Sequence, residues 1–273
     1  MAMATINPAT GETEFEAELH TPAEVEARLA KAQEAHEKLR TMTYAERAKL
    51  MLVAADLIES EVEKTAVMLT REMGKPIAQS RGEVLKCAKN MRFYAEKSEE
   101  FLAPQVLADP SLVGASQAMA IWQPLGVVLA VMPWNYPLWQ VIRFAAPALM
   151  AGNSGVLKHA SNVPQSALYL DDLFTRAGFP EGSFSTLMIS ASQVAPVIDD
   201  WRVRAVTLTG SEPAGRAVAA QAGSQIKPSV MELGGSDAFV VTPNADIEQA
   251  ATVAVTARIN NNGQSCIAGK RFL

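Results

Sequence analysis

The residue best suited to nucleophilic chemistry is Cys266, at the end of Asn261-Asn262-Gly263-Gln264-Ser265-Cys266, a polar, glycine-containing turn after a helical stretch. A core cysteine would be out of place there. Thiolate character and access govern cysteine chemistry, so Cys266 reads as a reactive thiol. Upstream, Met231-Glu232-Leu233-Gly234-Gly235 sets a carboxylate at the end of an apolar strand. Glu232 is then either a partner for a cation or a general base whose pKa partial burial raises toward neutrality. Three further turns offer polar groups. Met132-Pro133-Trp134-Asn135-Tyr136-Pro137 is rigid and aromatic and presents the Asn135 amide, unless Asn135 simply closes an Asx-turn. Leu157-Lys158-His159-Ala160-Ser161-Asn162 puts a cation and the Ser161 hydroxyl where a nucleotide's ribose or phosphate could lie, although Lys158 could equally be solvated. In Thr209-Gly210-Ser211-Glu212-Pro213-Ala214-Gly215, unpaired amides at a helix start suit a pyrophosphate or form an ordinary cap. The spacing Gly-x-x-x-x-Gly differs from the Gly-x-Gly-x-x-Gly dinucleotide fingerprint, which the chain lacks.

These turns need strands to end in and helices to follow. Apolar runs at 126–132, 154–157, 185–189, 205–208, 230–233 and 238–241 alternate with helical stretches, the pattern of an α/β fold with a parallel sheet covered on both faces. Ligands of such sheets sit at the carboxyl ends of the strands, where the turns above fall. From Thr21 to about Leu102 the apolar residues recur every three or four positions, which predicts three amphipathic helices. Thr21 with Glu24 and Thr43 with Glu46 form capping boxes, and Gly74 before Pro76 stops the second helix. Cys87, inside this region, reads as a small core residue. Residues 103–125 carry Pro104, Pro110 and Pro124 and a short alternating stretch, giving a connector with an edge strand that could serve as an interaction arm.

Composition narrows the function. The net charge of −5 is interspersed, with no basic block to follow a phosphate backbone, so nucleic acid is not an expected partner. Two distant cysteines suit a reducing compartment, and His20, His36 and His159 lie too scattered for a zinc site, so no metal is expected. The start lacks the pattern of a secretory signal, and no run approaches the roughly 20 apolar residues of a membrane helix. A cytoplasmic protein that does not enter membranes is the expectation.

Taken together, Pro133-Trp134-Asn135, Lys158, the 210–215 turn, Glu232-Leu233-Gly234-Gly235 and Gly263-Gln264-Ser265-Cys266 resemble the aldehyde dehydrogenase superfamily in order and approximate spacing, as does the start Ile6-Asn7-Pro8-Ala9-Thr10-Gly11. The branch it resembles most is that of bacterial succinate-semialdehyde dehydrogenases carrying Lys-His where most members have Lys-Pro. The resemblance implies a Rossmann-type dinucleotide-binding sheet at 126–235, N-terminal helices at 1–103 packed on it, an oligomerisation arm at 104–125 and the beginning of a catalytic α/β domain at 236–273. It also implies Cys266 as nucleophile, Glu232 as base and Asn135 as oxyanion donor. Trp134, Lys158, Ser161, Gly210, Ser211, Gly215, Leu233 and Gly234 would bind the cofactor, and Arg143 the carboxylate of a small aldehyde substrate. The second arginine of some relatives falls on Asn260, with Arg258 offset. Ser161, where NAD-preferring relatives carry Glu, implies NADP as the favoured cofactor and NAD as the alternative, since no carboxylate repels a 2′-phosphate. The complete protein would be a dimer or tetramer. Family chains run well past the cysteine, so most of the catalytic domain is expected beyond residue 273, and a strand starting at 270–273 has almost no room. Two functions therefore compete: a working oxidoreductase, and a cofactor-binding module without turnover.

Overall fold

The structure, a computed structural model, describes residues 3–273. A hairpin of β1 (Met3–Ile6) and β2 (Thr13–Ala17) leads into α1 (Pro22–Leu39), α2 (Tyr44–Ser60), α3 (Val62–Met73) and α4 (Ile77–Phe101). Both capping boxes form. The Thr21 hydroxyl accepts from the Glu24 N–H at 3.3 Å while the Glu24 carboxylate accepts from the Thr21 N–H at 2.7 Å, and Thr43 and Glu46 repeat the exchange. Four helices replace the expected three. The extra break is a single residue, Glu61, whose carboxylate accepts from the Tyr169 hydroxyl at 2.9 Å and from Arg176 at 2.7 Å. An interruption of one residue leaves the apolar periodicity nearly intact, so sequence does not reveal it. Gly74 does end a helix, at φ 76°, but that helix is α3.

The connector pairs β3 (Gln105–Val106) with β4 (Met119–Ala120) in a short antiparallel ribbon. Then follow β5 (Val127–Met132), α5 (Trp139–Met150), β6 (Ser154–His159), α6 (Pro164–Arg176), β7 (Phe184–Thr186), α7 (Val194–Asp199), β8 (Val203–Gly210), α8 (Glu212–Ser224) and β9 (Ser229–Leu233). The five strands form one parallel sheet in the order β7-β6-β5-β8-β9. The chain moves outward from β5 to β7, crosses back to β8 on the other side of β5, and continues to β9. The switch point therefore lies between β5 and β8, where such sheets open a crevice at their carboxyl ends.

Two apolar cores flank the sheet. Ala130, Met132 and Leu157 pack with Met51, Ile58, Met91, Ile142 and Phe174 of the helices on one face. Leu129, Val156, Val206 and Leu208 pack on the other with Leu29 and Ala32 of α1 and Val218 of α8. The N-terminal helices thus divide between the faces, α1 on one and α2 to α4 on the other. Cys87 lies fully buried in the first core, where burial pushes its thiol well above the usual range.

The strand expected at 185–189 is confined to β7. Leu187 still donates to the Leu157 carbonyl at 2.7 Å, after which the chain turns away. Beyond β9 come β10 (Asp237–Phe239), α9 (Ile247–Ile259) and β11 (Gly269–Phe272), with β10 and β11 parallel to each other. The strand expected to have almost no room thus forms, as the partner of β10. Among the described residues, no helix is long and apolar enough to cross a membrane.

Candidate active site

The crevice at the switch point is a cleft of about 330 Å³. The turn after β5 supplies Trp134 and Asn135, the end of β8 supplies Thr209, Gly210 and Ser211, the end of β9 supplies Leu233 and Gly234, and the turn after α9 supplies Gln264, Ser265 and Cys266. The structure therefore brings together in one cleft seven of the residues singled out from sequence. Lys158, Ser161 and Gly215 lie outside its lining. Gly215 nonetheless shapes it: a Cβ there would come within 2.6 Å of Leu233 Cδ2.

Backbone geometry explains how Cys266 reaches the cleft. Asn261, Asn262 and Gly263 are all left-handed, at φ 55°, 55° and 74°, a conformation that asparagine and glycine tolerate best. The turn they make is tied down from both sides. Asn261 Nδ2 donates to the Asn135 carbonyl at 2.7 Å, Asn262 Nδ2 to the Gly74 carbonyl at 2.6 Å, and the Asn261 N–H to Gln79 Oε1 at 2.6 Å. Arg258 donates to the Gly263 carbonyl at 3.1 Å, so its guanidinium closes this turn. Asn135 Nδ2 gives one hydrogen to the Gln264 carbonyl at 2.8 Å, and its other hydrogen is available to a ligand. Lys270, which sequence did not single out, also lines the cleft and donates to the Cys266 carbonyl at 2.7 Å.

At the β8 end of the cleft, Ser211 caps α8, its hydroxyl accepting from the Ala214 N–H at 3.4 Å. Glu212, an acidic neighbour in the first turn, is paired with Arg216. A helix N-terminus beside Gly210 suits a phosphate group. Lys158 is partly buried on β6, and loss of water pulls its ammonium below the ordinary lysine range. A cation held short of its hydration is a good partner for a ribose hydroxyl or phosphate. Ser161 is exposed after the same strand, and its carbonyl accepts from the Ala4 N–H at 2.9 Å.

Glu232 and Arg143 do not join Cys266. Side chains of consecutive strand residues point to opposite faces, so Glu232 turns away from the cleft that Leu233 lines. It is 56% exposed and 3.9 Å from Arg143, which also donates to the Thr209 hydroxyl at 3.3 Å. Both line a neighbouring groove with Gln140, Phe144 and Val230.

Comparison with known proteins now gives the class: the chain belongs to the aldehyde dehydrogenase family, which it matches over residues 1–273. Within that class it is 58% identical to a succinate-semialdehyde dehydrogenase (NADP(+)) of Mycobacterium avium strain 104, over all of this chain and 58% of that relative. It is also 58% identical to the enzyme of the same name from Mycobacterium leprae strain TN, over all of this chain and 60% of that relative. The crystal structure of succinic semialdehyde dehydrogenase from Streptococcus pyogenes in complex with NADP+ is 38% identical, with a TM-score of 0.95 over 99% of this chain and 59% of that one. The chain thus spans about three fifths of the length of these relatives.

Proposed function

We propose that this chain carries the nucleophile and the cofactor cleft of an aldehyde dehydrogenase that oxidises succinate semialdehyde, with NADP as the preferred acceptor and NAD as an alternative. One observation carries the reading: the Asn135 amide and Cys266 share a cleft at the switch point with the N-terminus of α8.

The residues present fit a dinucleotide. The capped start of α8 and Gly210 suit the pyrophosphate, Lys158 and Ser161 the adenosine ribose, and Trp134 walls the cleft, with Leu233 and Gly234 opposite. Bound there, a nicotinamide supplies a hydride acceptor. The thiolate of Cys266 attacks the aldehyde carbon, forming a C–S bond as the carbonyl electron pair moves to oxygen. The free hydrogen of Asn135 Nδ2 and the Cys266 N–H are the two donors for that oxyanion, fixed in advance where charge develops. Departure of hydride leaves a thioester on Cys266. Glu232 then takes a proton from the water that attacks the acyl carbon, releasing succinate and regenerating the thiolate. For this step the backbone at the end of β9 must turn so that the carboxylate swings from the Arg143 side to the Cys266 side. A substrate carboxylate reaching Arg143 would compete with Glu232 for the guanidinium and favour that swing.

The same displacement of Glu232 supports the second reading, a module that binds the cofactor and does not complete turnover. The assay is reduced-nicotinamide formation from succinate semialdehyde with NADP or NAD, with Cys266→Ala as control. Turnover abolished in the control is expected; turnover that survives it would rule out Cys266 as nucleophile.

A further inference from the structure

Beneath the cleft lies a group of side chains that neither reading uses. Lys75, in the turn after α3, and Glu83, on α4, form an ion pair in which each side chain is only 1% exposed. Glu83 Oε1 also accepts from the Leu138 and Trp139 N–H groups, 2.9 Å each, and so closes the start of α5. The Lys75 ammonium sits 3.8 Å from the centre of the Tyr136 ring, within cation–π range. The Tyr136 hydroxyl is 2.6 Å from the Ser265 hydroxyl. One buried pair therefore grips the chain immediately after Asn135 and, through Tyr136, reaches the residue before Cys266. The Cys266 turn is anchored to the same α3–α4 junction by Asn262 on Gly74 and Asn261 on Gln79.

Stability alone is a weak reason for such a pair. Removing two charges from water costs several kcal/mol per ion, and well-packed apolar residues often serve as well or better. Burial pulls the Lys75 ammonium below the ordinary range, and Glu83 pulls it back. In some proteins buried charge pairs fix a particular geometry, and here the geometry is that of the two oxyanion donors, one on each side of the Tyr136–Ser265 contact.

We propose that Lys75, Glu83 and Tyr136 are positioning residues that set the separation between the Asn135 amide and the Cys266 N–H. The inference rests on the acyl-transfer reading above. Tyr136→Phe keeps the ring over Lys75 and removes only the hydroxyl that meets Ser265, and Ser265→Ala removes the other end. Lys75→Met removes the charge at the base.

The test is kcat and KM for aldehyde and NADP, the melting temperature, and the rate of Cys266 alkylation by iodoacetamide, with fully buried Cys87 silent. Tyr136→Phe is expected to melt with the wild type, lower kcat about ten- to a hundredfold, as a misplaced reacting group does, and leave KM for NADP unchanged. Alkylation should shift by about threefold or more as the thiol's surroundings change. Tyr136→Phe and Ser265→Ala should be no worse together than apart, since they break one contact. Wild-type kcat and alkylation in Tyr136→Phe, additive losses in the double variant, or a loss confined to KM for NADP would overturn the proposal. If the wild-type chain forms no reduced nicotinamide, the functional reading fails. The alkylation ratio then decides the positioning by itself: a shift supports it and equality overturns it. If Lys75→Met does not fold, the two milder variants decide.

Discussion

His159 follows Lys158 on β6 and is wholly buried, and replacing it by Gln should remove a distinct acid limb from the stability of this chain. Its Nε2 lies 2.9 Å from the Pro137 carbonyl, and its Nδ1 lies 2.9 Å from the Ala160 N–H and 3.3 Å from the Met132 carbonyl. The ring thus touches both ends of the turn that carries Asn135. Nδ1 can accept from Ala160 only while the imidazole is neutral, with its proton on Nε2. Burial pulls the pKa down to about 4 against the pull of the two carbonyls, with Lys158 adding to the fall. Unfolded, the ring returns to about 6.5. Between those values the unfolded chain binds more protons, so stability rises with pH there. The contribution is complete above about pH 6.5 and is lost as pH falls toward 4. Between pH 7.5 and 4.5 it amounts to about 2–3 kcal/mol, because each pH unit crossed between the two pKa values is worth about 1.4 kcal/mol. Urea unfolding followed by tryptophan fluorescence at half-unit pH steps measures it. Wild type minus His159→Gln should shrink by that amount as pH falls, whatever the carboxylates contribute to both. Parallel pH–stability curves would refute the assignment of a neutral, hydrogen-bonded His159.

Three further outcomes bear on other parts of the structure. Ser161→Glu should raise KM for NADP much more than for NAD, because a carboxylate beside the ribose repels a 2′-phosphate; equal effects in steady-state kinetics would remove Ser161 from cofactor choice. Gly182→Ala should cost about 2–4 kcal/mol in urea unfolding, since its φ is +87° and a Cβ would sit 2.4 Å from the Lys31 carbonyl oxygen of α1. Gly223→Ala, with no atom within 4 Å of the new Cβ, is the control and should not destabilise. Glu72→Gln should cost about 1–3 kcal/mol, because one carboxylate oxygen becomes a donor among donors: the buried Glu72 accepts from Thr5, from the Gln165 and Ser166 N–H groups at 2.7 and 3.1 Å, and from the Ser166 hydroxyl at 2.5 Å. A melting temperature equal to the wild type would show these contacts to be dispensable.

Sequence revealed what is local. Thr21 with Glu24 and Thr43 with Glu46 cap helices through bonds that span three residues, and the alternation of apolar runs with helices announces the parallel sheet. Asn135, Gly210, Ser211, Leu233, Gly234 and Cys266 were visible because each sits in a short motif at an element's end, and the sheet gathers those ends in one place. What stayed hidden depends on distant partners. The break at Glu61 is made with Tyr169 and Arg176, more than a hundred residues away. Lys75, between a glycine and a proline, belongs to no motif, and only the fold brings it to Glu83 and Tyr136. Which face of β9 Glu232 takes, and hence its separation from Cys266, depends on register, in which a single step reverses every side chain. The left-handed run at Asn261 to Gly263 had a signal in its composition, since asparagine and glycine are the residues that tolerate such backbone best.

Whether Cys266, the Asn135 amide and a nicotinamide act together in one cleft is tested most directly by a single turnover read by intact-mass spectrometry. The chain is mixed with succinate semialdehyde and excess NADP, quenched in acid, and digested to locate any adduct. The expected result is a mass gain of one succinyl group on the peptide carrying Cys266, formed together with an equal amount of NADPH and absent in Cys266→Ala. In the proposed mechanism acylation does not need Glu232, so the adduct should form, and should persist where hydrolysis is slow. NADPH formed by Cys266→Ala, or an adduct retained in that variant, would contradict the assignment of Cys266 as the nucleophile.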